Sequence, residues 1–199
     1  MCDGPFGSDM KSSHYSESGI RIVRLQNIGC GTFADVDRAF ISEEHFLALP
    51  GHDAKPGDLL VASLGDDRRP AGRACLLPDD VPVAMVKADC FRLRLDPRRM
   101  THAYCAWFLN SAASRDAVAL ESRGVTRTRI NLSGLSRLRV PVPPLIEQEA
   151  IAVELQGRSI AINAAIAATE LSIAALQELR KATVAAAVSG CLPREREVA

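Results

Sequence analysis

The chain has 199 residues with an ordinary globular composition, of which 47% are hydrophobic. That length suits one domain with an appendage, or two very small domains. Basic and acidic residues are equal in number, 24 of each, so the formal net charge is zero. No global electrostatic field therefore indicates a nucleic-acid or membrane partner, although a local basic face is still allowed.

The N-terminus, MCDGPFGSDMK, lacks the apolar segment of a signal peptide. The six cysteines are scattered and form no C-x-x-C pair, which is typical of free thiols in the cytoplasm and gives no sign of structural zinc. No unbroken run of about 18 apolar residues is present, which argues against a membrane span. The sequence therefore predicts a cytoplasmic protein without a membrane partner.

The first 143 residues alternate between short apolar segments and turn signals. Strands are predicted at 20–26, 59–62, 83–86, 90–95 and 138–142, and helices at 101–110 and 112–121. Thr101 is placed to cap the first of these helices. Its aromatic residues, Tyr104, Trp107 and Phe108, recur at helical spacing and are interpreted as core. These elements predict an α+β domain with a mixed sheet over residues 1–143.

A continuous helical pattern follows a proline-rich junction. Pro144 suits the first helical position, and Gly190 and Pro193 supply a stop, which predicts one long helix over 144–190 and a tail over 191–199. Along it, apolar residues recur at spacings of four and three, as in a coiled-coil seam. The predicted helix–helix interface comprises Leu155, Ile162, Ile166, Thr169, Ile173 and Leu176. A lone helix of this kind is marginally stable in water, so we expect a partner helix, in a second copy or in another protein.

The motifs of common active sites are missing from the sequence: G-x-G-x-x-G, the P-loop, H-E-x-x-H and G-x-S-x-G. The pairs Asp66–Asp67 and Asp79–Asp80 could be metal-binding carboxylates of a nuclease. Both pairs lie in turn-like segments, where aspartate ordinarily bonds to nearby backbone groups. No catalytic residue, metal site or cofactor is therefore predicted, and we expect a protein that is not an enzyme.

Polar side chains that suit DNA contact lie mostly in the predicted loops. Arginine and lysine neutralise phosphates, while arginine, glutamine and asparagine can hydrogen-bond to base edges. The predicted DNA-binding residues are Ser8, Lys11, Arg68, Arg69, Arg73, Lys87, Thr126, Arg127 and Arg129, with Arg24, Gln26, Asn27 and Asn131 as further candidates. For any one of them, a solvated surface residue is the simpler alternative.

Several segments, taken in order, resemble a known family. They are Cys2–Ser8, Lys11–Ser12, Gly19–Gly29, Lys55–Leu60, Lys87–Arg92, Thr126–Leu132 and Pro143–Gln148. This set resembles the target recognition domain in the DNA specificity subunit of type I restriction–modification systems. With the long helix, the resemblance covers residues 2 to about 193. No single segment is decisive, but the ordered set is specific.

The resemblance implies a non-catalytic subunit, without a cofactor of its own, that reads one half of a bipartite site in double-stranded DNA. In the family, two long helices pair antiparallel as a spacer between the half-sites. They also dock modification methyltransferase subunits, which hold S-adenosylmethionine, and a restriction subunit joins that assembly.

Family subunits usually carry two recognition domains and two long helices, whereas this chain has one of each. It therefore resembles a half-subunit that could form a two-fold homodimer on a palindromic bipartite site. A truncated gene product or a fragment are the alternatives. Two other functions also remain open: an assembly protein that docks methyltransferase without reading DNA, and a small metal-dependent nuclease that uses Asp66 or Asp67.

Overall fold

A computed structural model describes residues 1–122 and 127–190, so the predicted contact Thr126 and the tail at 191–199 lie outside the described residues. The chain divides into two units, one of residues Met1–Ala152 and a second that begins at Val153. Both the short strands and the early helices belong to the first unit.

The strands are short and come in the order β1 (Tyr15–Ser16), β2 (Ile20–Val23), β3 (Phe40–Ile41), β4 (Asp53–Ala54), β5 (Leu59–Ala62), β6 (Leu64–Gly65), β7 (Ala74–Leu76), β8 (Ala84–Val86), β9 (Cys90–Leu93) and β10 (Thr128–Arg129). The α-helices are α1 (Glu43–Leu47), α2 (His102–Leu109), α3 (Ala112–Glu121), α4 (Leu132–Arg137) and α5 (Leu145–Val188). Single 3₁₀ turns occupy Gly7–Met10, Ser12–His14 and Leu25–Asn27.

The strands form two main sheets and one small pair. The five-stranded sheet has the order β1-β3-β2-β8-β4 and is mixed, because β2 and β8 run parallel while their other neighbours run antiparallel. The second sheet is antiparallel, in the order β7-β5-β9, and β6 pairs with β10 beside it. The predicted α+β class with a mixed sheet and a long C-terminal helix is confirmed.

The apolar strand β5 lies between the two halves of the core. Leu59 and Val61 point into a cluster with α2, α3 and α4, whereas Leu60 and Ala62 point into a second cluster with the five-stranded sheet. Because successive side chains of a strand face opposite ways, both of its faces are covered by protein. A short continuous apolar run is therefore what this position requires.

The strands predicted at 20–26 and 138–142 differ most from the structure, and the strand predicted at 90–95 ends at Leu93. The strand at 20–26 ends at Val23, and its Arg21 side chain is only 6% exposed. It lies in the middle strand of a sheet and pairs with the Asp35 carboxylate at 3.0 Å. Residues 138–142, all in the described part, form no strand. Proline has no N–H for a sheet ladder, and the carbonyl of Pro141 instead accepts a bond from the Tyr104 hydroxyl at 3.2 Å.

The first turn of α5 is held in the first unit by a buried glutamine. The Gln148 side chain is fully buried, and its oxygen accepts a hydrogen bond from the Thr101 N–H at 2.9 Å. Its amide nitrogen donates to the carbonyls of Arg99 and Pro143, at 2.9 and 2.8 Å. This is the physical reason that the first unit continues to Ala152, beyond the boundary expected at 143.

In the second unit, α5 continues to Val188, and Gly190 follows with a φ of 74°, as the predicted glycine stop requires. The six residues of the predicted seam are exposed, Ile162 by 59% and Ile173 by 50%. By length and composition alone, α5 is also apolar enough to cross a membrane. The sequence argued against a membrane span because it has no unbroken run of about 18 apolar residues. In α5 a few charged residues interrupt the apolar ones, many of which are alanines, so the helix is still apolar on average.

Candidate nucleic-acid interface

Two basic side chains and a tyrosine meet where the first loops leave the five-stranded sheet. The Arg24 guanidinium pairs with the Asp37 carboxylate, donates to the Asp37 carbonyl at 2.8 Å, and lies 6.0 Å from the centroid of the Tyr15 ring. The ammonium of Lys87 donates to the Tyr15 hydroxyl at 2.7 Å. The Gln26 amide bonds to the same Asp37 carboxylate. Asp37 and Tyr15 thus hold one glutamine and two cations at one surface.

A concavity of about 220 Å³ continues this surface. The Gln26, Arg69 and Arg127 side chains line it, together with the carboxylate-bearing Asp66. Arg69 comes from the turn that follows β6, and Arg127 immediately precedes β10, which pairs with β6. The pairing of these two strands therefore brings together two of the predicted DNA-binding residues, which lie far apart in the sequence.

Arg129 lies on β10, and its side chain makes two contacts. Its guanidinium bonds to the Asp89 carboxylate and lies 5.9 Å from the centroid of the Phe6 ring. Phe6 belongs to the N-terminal loop, so this contact joins that loop to the β10 strand. We call the surface made by all these side chains the basic face, and it comprises Phe6, Tyr15, Arg24, Gln26, Arg69, Lys87, Arg127 and Arg129.

Two aspartates that hold the basic face have unusual backbone conformations. Asp37 and Asp89 are the non-glycine residues with positive φ in the described ranges, at 50° and 70°. Aspartate tolerates this left-handed region better than most non-glycine residues, so both positions are consistent with turns. Each aspartate fixes one arginine, Asp37 binding Arg24 and Asp89 binding Arg129. The two turns thus orient these two guanidinium groups.

Arg73 has a structural role in the fold, and its predicted contact with DNA stays a prediction. Arg73 is 4% exposed, and its guanidinium donates to backbone carbonyls on two segments. The acceptors are the carbonyls of Leu25, Ile28, Leu64, Arg69 and Pro70, at 2.7–3.1 Å. Burial lowers the pKa of this guanidinium. Arg73 therefore joins the turn at residues 25–28 to the turn at residues 64–70, and it lines the same concavity as Arg69 and Arg127.

The two asparagine candidates also have structural roles. Asn27 is fully buried, and its amide donates to the carbonyls of Ala34 and Val36 at 2.9 and 2.7 Å. Asn131 caps α4 by accepting a bond from the Gly134 N–H at 2.7 Å. Each asparagine satisfies backbone groups of the fold. The Asn27 amide is buried and bonded within the protein, whereas Asn131 is exposed, so its contact with DNA stays a prediction.

The remaining predicted contacts are exposed but are placed differently. Arg68 lies in the same turn as Arg69, at the rim of the basic face. Ser8 and Lys11 lie on the segment after Phe6, where the Ser8 hydroxyl donates to the Asp9 carboxylate at 3.2 Å. Whether any of these side chains meets DNA stays a prediction.

The carboxylates considered for a nuclease have a local role in the structure. The Asp66 carboxylate accepts backbone bonds from Arg69 and Arg68, at 2.8 and 2.9 Å, and these bonds lower its pKa. Within residues 1–122 and 127–190, no three or more histidine, cysteine, aspartate or glutamate side chains are grouped to hold a metal ion. Burial raises the pKa of the Cys75 thiol to about 12, so this thiol stays protonated at neutral pH.

Three residues that matter in the structure were not assigned roles from the sequence. Phe6 and Tyr15 contribute the aromatic rings of the basic face, and Gln148 anchors α5. The flanking glycines and proline of Phe6 were a signal, since they predict an aromatic side chain presented on a turn. For Gln148 the signal was its place in the Pro143–Gln148 segment, directly after the predicted helix start.

No family model matches the chain. The chain is 26% identical over 182 residues to the type I restriction enzyme StySPI specificity subunit of Salmonella potsdam. It is 24% identical over 183 residues to the EcoKI specificity subunit of Escherichia coli K12. Each match covers 90% of this chain and 38% of the relative, so the chain spans about two fifths of the length of these curated relatives.

Two solved structures share the fold. One is a chain from a type I R-M system studied for complex assembly and conformational transition, with a TM-score of 0.69 and 19% identity over 96% of this chain and 43% of that one. The other is the HsdS subunit of Thermoanaerobacter tengcongensis, with a TM-score of 0.58 and 21% identity over 96% of this chain and 42% of that one. The resemblance noted in the sequence is confirmed by these comparisons.

Proposed function

We infer that this chain, a homologue of the specificity subunits of type I restriction enzymes, gives such a system its DNA sequence specificity and catalyses no reaction itself. The names of the two curated relatives and the shared fold support this inference. Because the chain matches only 38% of either relative, we propose that it acts as a half-subunit that reads one half of a bipartite site.

The basic face is our candidate for the DNA-binding surface. The basic face places five cationic side chains beside three carboxylates, so positive charge is in excess there. The Asp37 and Asp89 carboxylates each orient an arginine side chain. Arg69 and Arg127 line a concavity and suit phosphates, which supply most of the affinity for DNA. Arg24 and Gln26, both held by Asp37, suit base edges, which supply specificity. The observation that carries the proposal is this grouping of predicted contacts from distant segments.

Replacing Arg127 by alanine is expected to weaken binding to a mixed-sequence duplex about five- to tenfold at low salt. The slope of log affinity against log salt should fall by about 0.9, because one phosphate contact is lost. Fluorescence anisotropy over a salt series measures both quantities, and a duplex selected from a random library reports specific binding. The control is Arg98→Ala, which removes an exposed arginine that pairs with Asp96 away from the basic face. An equal loss in both variants would contradict the assignment.

We propose that the occupant of the α5 seam is a second copy of this chain, paired antiparallel. The seam at Leu155–Leu176 leaves large apolar side chains in water, and its spacing suits another helix of the same kind. A two-fold pair would bring two recognition units into one assembly, which is consistent with a chain that spans about two fifths of the length of its curated relatives. Lipid is the other environment that α5 could enter by composition, so the test must separate the two.

The variant Ile162→Asp is expected to weaken self-association at least about a hundredfold, because an unpaired carboxylate would be buried in each helix of the pair. Sedimentation in detergent-free buffer should show a wild-type dimer and a monomeric variant at micromolar concentration. Ala164→Asp adds the same charge about 200° around the helix and should leave the dimer intact. A wild-type monomer, or co-flotation with liposomes, would reject the homodimer.

The proposed role as a half-subunit also suggests further partners and a location for the chain. The paired α5 helices are candidates for the surface that docks modification methyltransferase and restriction subunits, and we propose a cytoplasmic location because the proposed ligand is DNA. The assembly-protein alternative predicts methyltransferase docking with no sequence-specific DNA binding at any salt concentration. The nuclease alternative predicts that the purified chain cuts DNA with magnesium alone.

A further inference from the structure

An exposed aromatic ring stands at the end of a tightly fixed N-terminal loop. Phe6 is 49% exposed. Before it, Cys2 exchanges two backbone hydrogen bonds with Arg92, at 2.9 and 3.0 Å. The Asp3 carboxylate accepts a bond from the Asp89 N–H at 3.2 Å, and the Asp3 carbonyl is 2.6 Å from a ring nitrogen of His52. The loop is therefore attached to the sheet at several points before the chain reaches Phe6.

The residues next to Phe6 define where its ring stands. Gly4 packs so closely that a Cβ there would lie 2.0 Å from the carbonyl carbon of Lys87, so this position admits only glycine. Pro5 is buried and has a fixed φ, while Gly7 turns the chain away with a φ of 57°. Because the backbone on both sides of Phe6 is fixed, little conformational entropy is lost when its ring binds a partner. This favours a role in recognition.

The Phe6 ring also lies beside a cation of the basic face. The Arg129 guanidinium lies 5.9 Å from the ring centroid and is itself held by Asp89. Asp89 in turn bonds to the Asp3 carboxylate through its N–H, so loop and guanidinium are supported by the same residue. Half-exposed aromatic rings beside oriented arginines suit a nucleic acid, because the ring can stack on bases while the cation meets phosphate.

We propose that Phe6 inserts as an apolar wedge between adjacent base pairs of the bound duplex and bends it. This rests on the proposed function, since it assumes that the basic face binds DNA. Wedge residues partly unstack one base step, and the bend that results lets the duplex contact more of the protein. Arg129, beside the ring, then neutralises a phosphate next to the opened step. The wedge makes the readout depend on how easily the sequence at that step unstacks.

The test compares Phe6→Ala and Phe6→Leu with the wild-type chain on a duplex selected by wild-type binding. Bending is measured by energy transfer between dyes at the two duplex ends, and unstacking by the fluorescence of 2-aminopurine placed along the site. We expect Phe6→Ala to lose the bend and the fluorescence increase, with about tenfold or greater loss of affinity, since base–aromatic stacking contributes on this scale. Phe6→Leu should keep part of the bend. The salt slope should be unchanged, because no phosphate contact is removed.

The outcomes separate this inference from the proposed function. If the wild-type chain binds no DNA, the proposed function fails. If the wild type binds and Phe6→Ala binds and bends the duplex equally well, only the wedge is rejected. A loss of methyltransferase association with unchanged DNA bending would also reject it and make Phe6 a protein contact. Leu47→Ala, which trims another exposed apolar residue on α1, is the matched control, and thermal melting verifies that each variant is folded.

Discussion

Replacing Arg73 by methionine is expected to destabilise the first unit by about 2–4 kcal/mol, because buried carbonyls would lose a hydrogen-bond donor. Methionine fills a similar volume but donates no hydrogen bond. Carbonyls of the turns at residues 25–28 and 64–70 would then lose the guanidinium as a donor, and those of Leu25 and Arg69 would keep only a backbone N–H. Each buried acceptor left without a partner costs about 1–3 kcal/mol. Total stabilities are typically about 5–15 kcal/mol, so a substantial part of the stability would be lost.

Urea unfolding monitored by the fluorescence of Trp107 measures the effect of Arg73→Met. Arg68→Met is the matched control, because Arg68 is exposed and lies only five positions before Arg73, and its removal changes the net charge equally. The control should shift the unfolding free energy by less than about 0.5 kcal/mol. If both variants unfold at the same urea concentration as the wild type, the hydrogen bonds of Arg73 do not stabilise the fold.

Replacing Gln148 by leucine is expected to cost about 2–4 kcal/mol, because three backbone groups around this fully buried side chain would lose their hydrogen-bond partner. Those groups are the N–H of Thr101 and the carbonyls of Arg99 and Pro143. The amide of Thr101 gives a direct readout, since its hydrogen bond ends on the Gln148 side chain. Its hydrogen exchange should accelerate in Gln148→Leu more than that of the β5 amides, which remain in the sheet ladder.

The control for this second variant is Gln156→Leu, two turns further along α5. Gln156 is exposed, so its replacement should change the unfolding free energy by less than about 0.5 kcal/mol. Unaltered Thr101 exchange in Gln148→Leu would mean that another group holds the start of α5. Together, the Arg73 and Gln148 variants test the two buried polar side chains on which the basic face and the start of α5 depend.

The kinds of side chain at the candidate site were partly predictable from the sequence. Which individual residues belong to the site was not. Lys87, Arg127 and Arg129 were chosen as loop residues that suit phosphates, and the structure places all three on the basic face. Arg73 met the same criteria equally well, yet it is buried. Its neighbours in the sequence are ordinary turn residues, and only the approach of the turn at residues 25–28 gives its guanidinium a set of carbonyls to bind.

The sequence by itself determined the elements whose signals are local. These include the buried strand β5, the glycine turn before it, the Thr101 cap of α2, and the long α5 helix with its glycine stop. Side-chain periodicity, caps and turn residues act within a few positions of the chain, so they can be recognised without knowing what packs against them.

Only the tertiary structure decided which polar side chains face solvent. Arg21 is buried in the middle strand of the five-stranded sheet and pairs with Asp35, and the Asn27 amide bonds to the loop at residues 34–36. Gln148 is buried because the segment at residues 99–101 packs on α5. A polar residue can be buried wherever the fold supplies partners for its hydrogen bonds, and those partners come from elsewhere in the chain. The sequence therefore determined the secondary structure near each of these residues, whereas long-range packing determined whether each one supports the fold or is available to bind DNA.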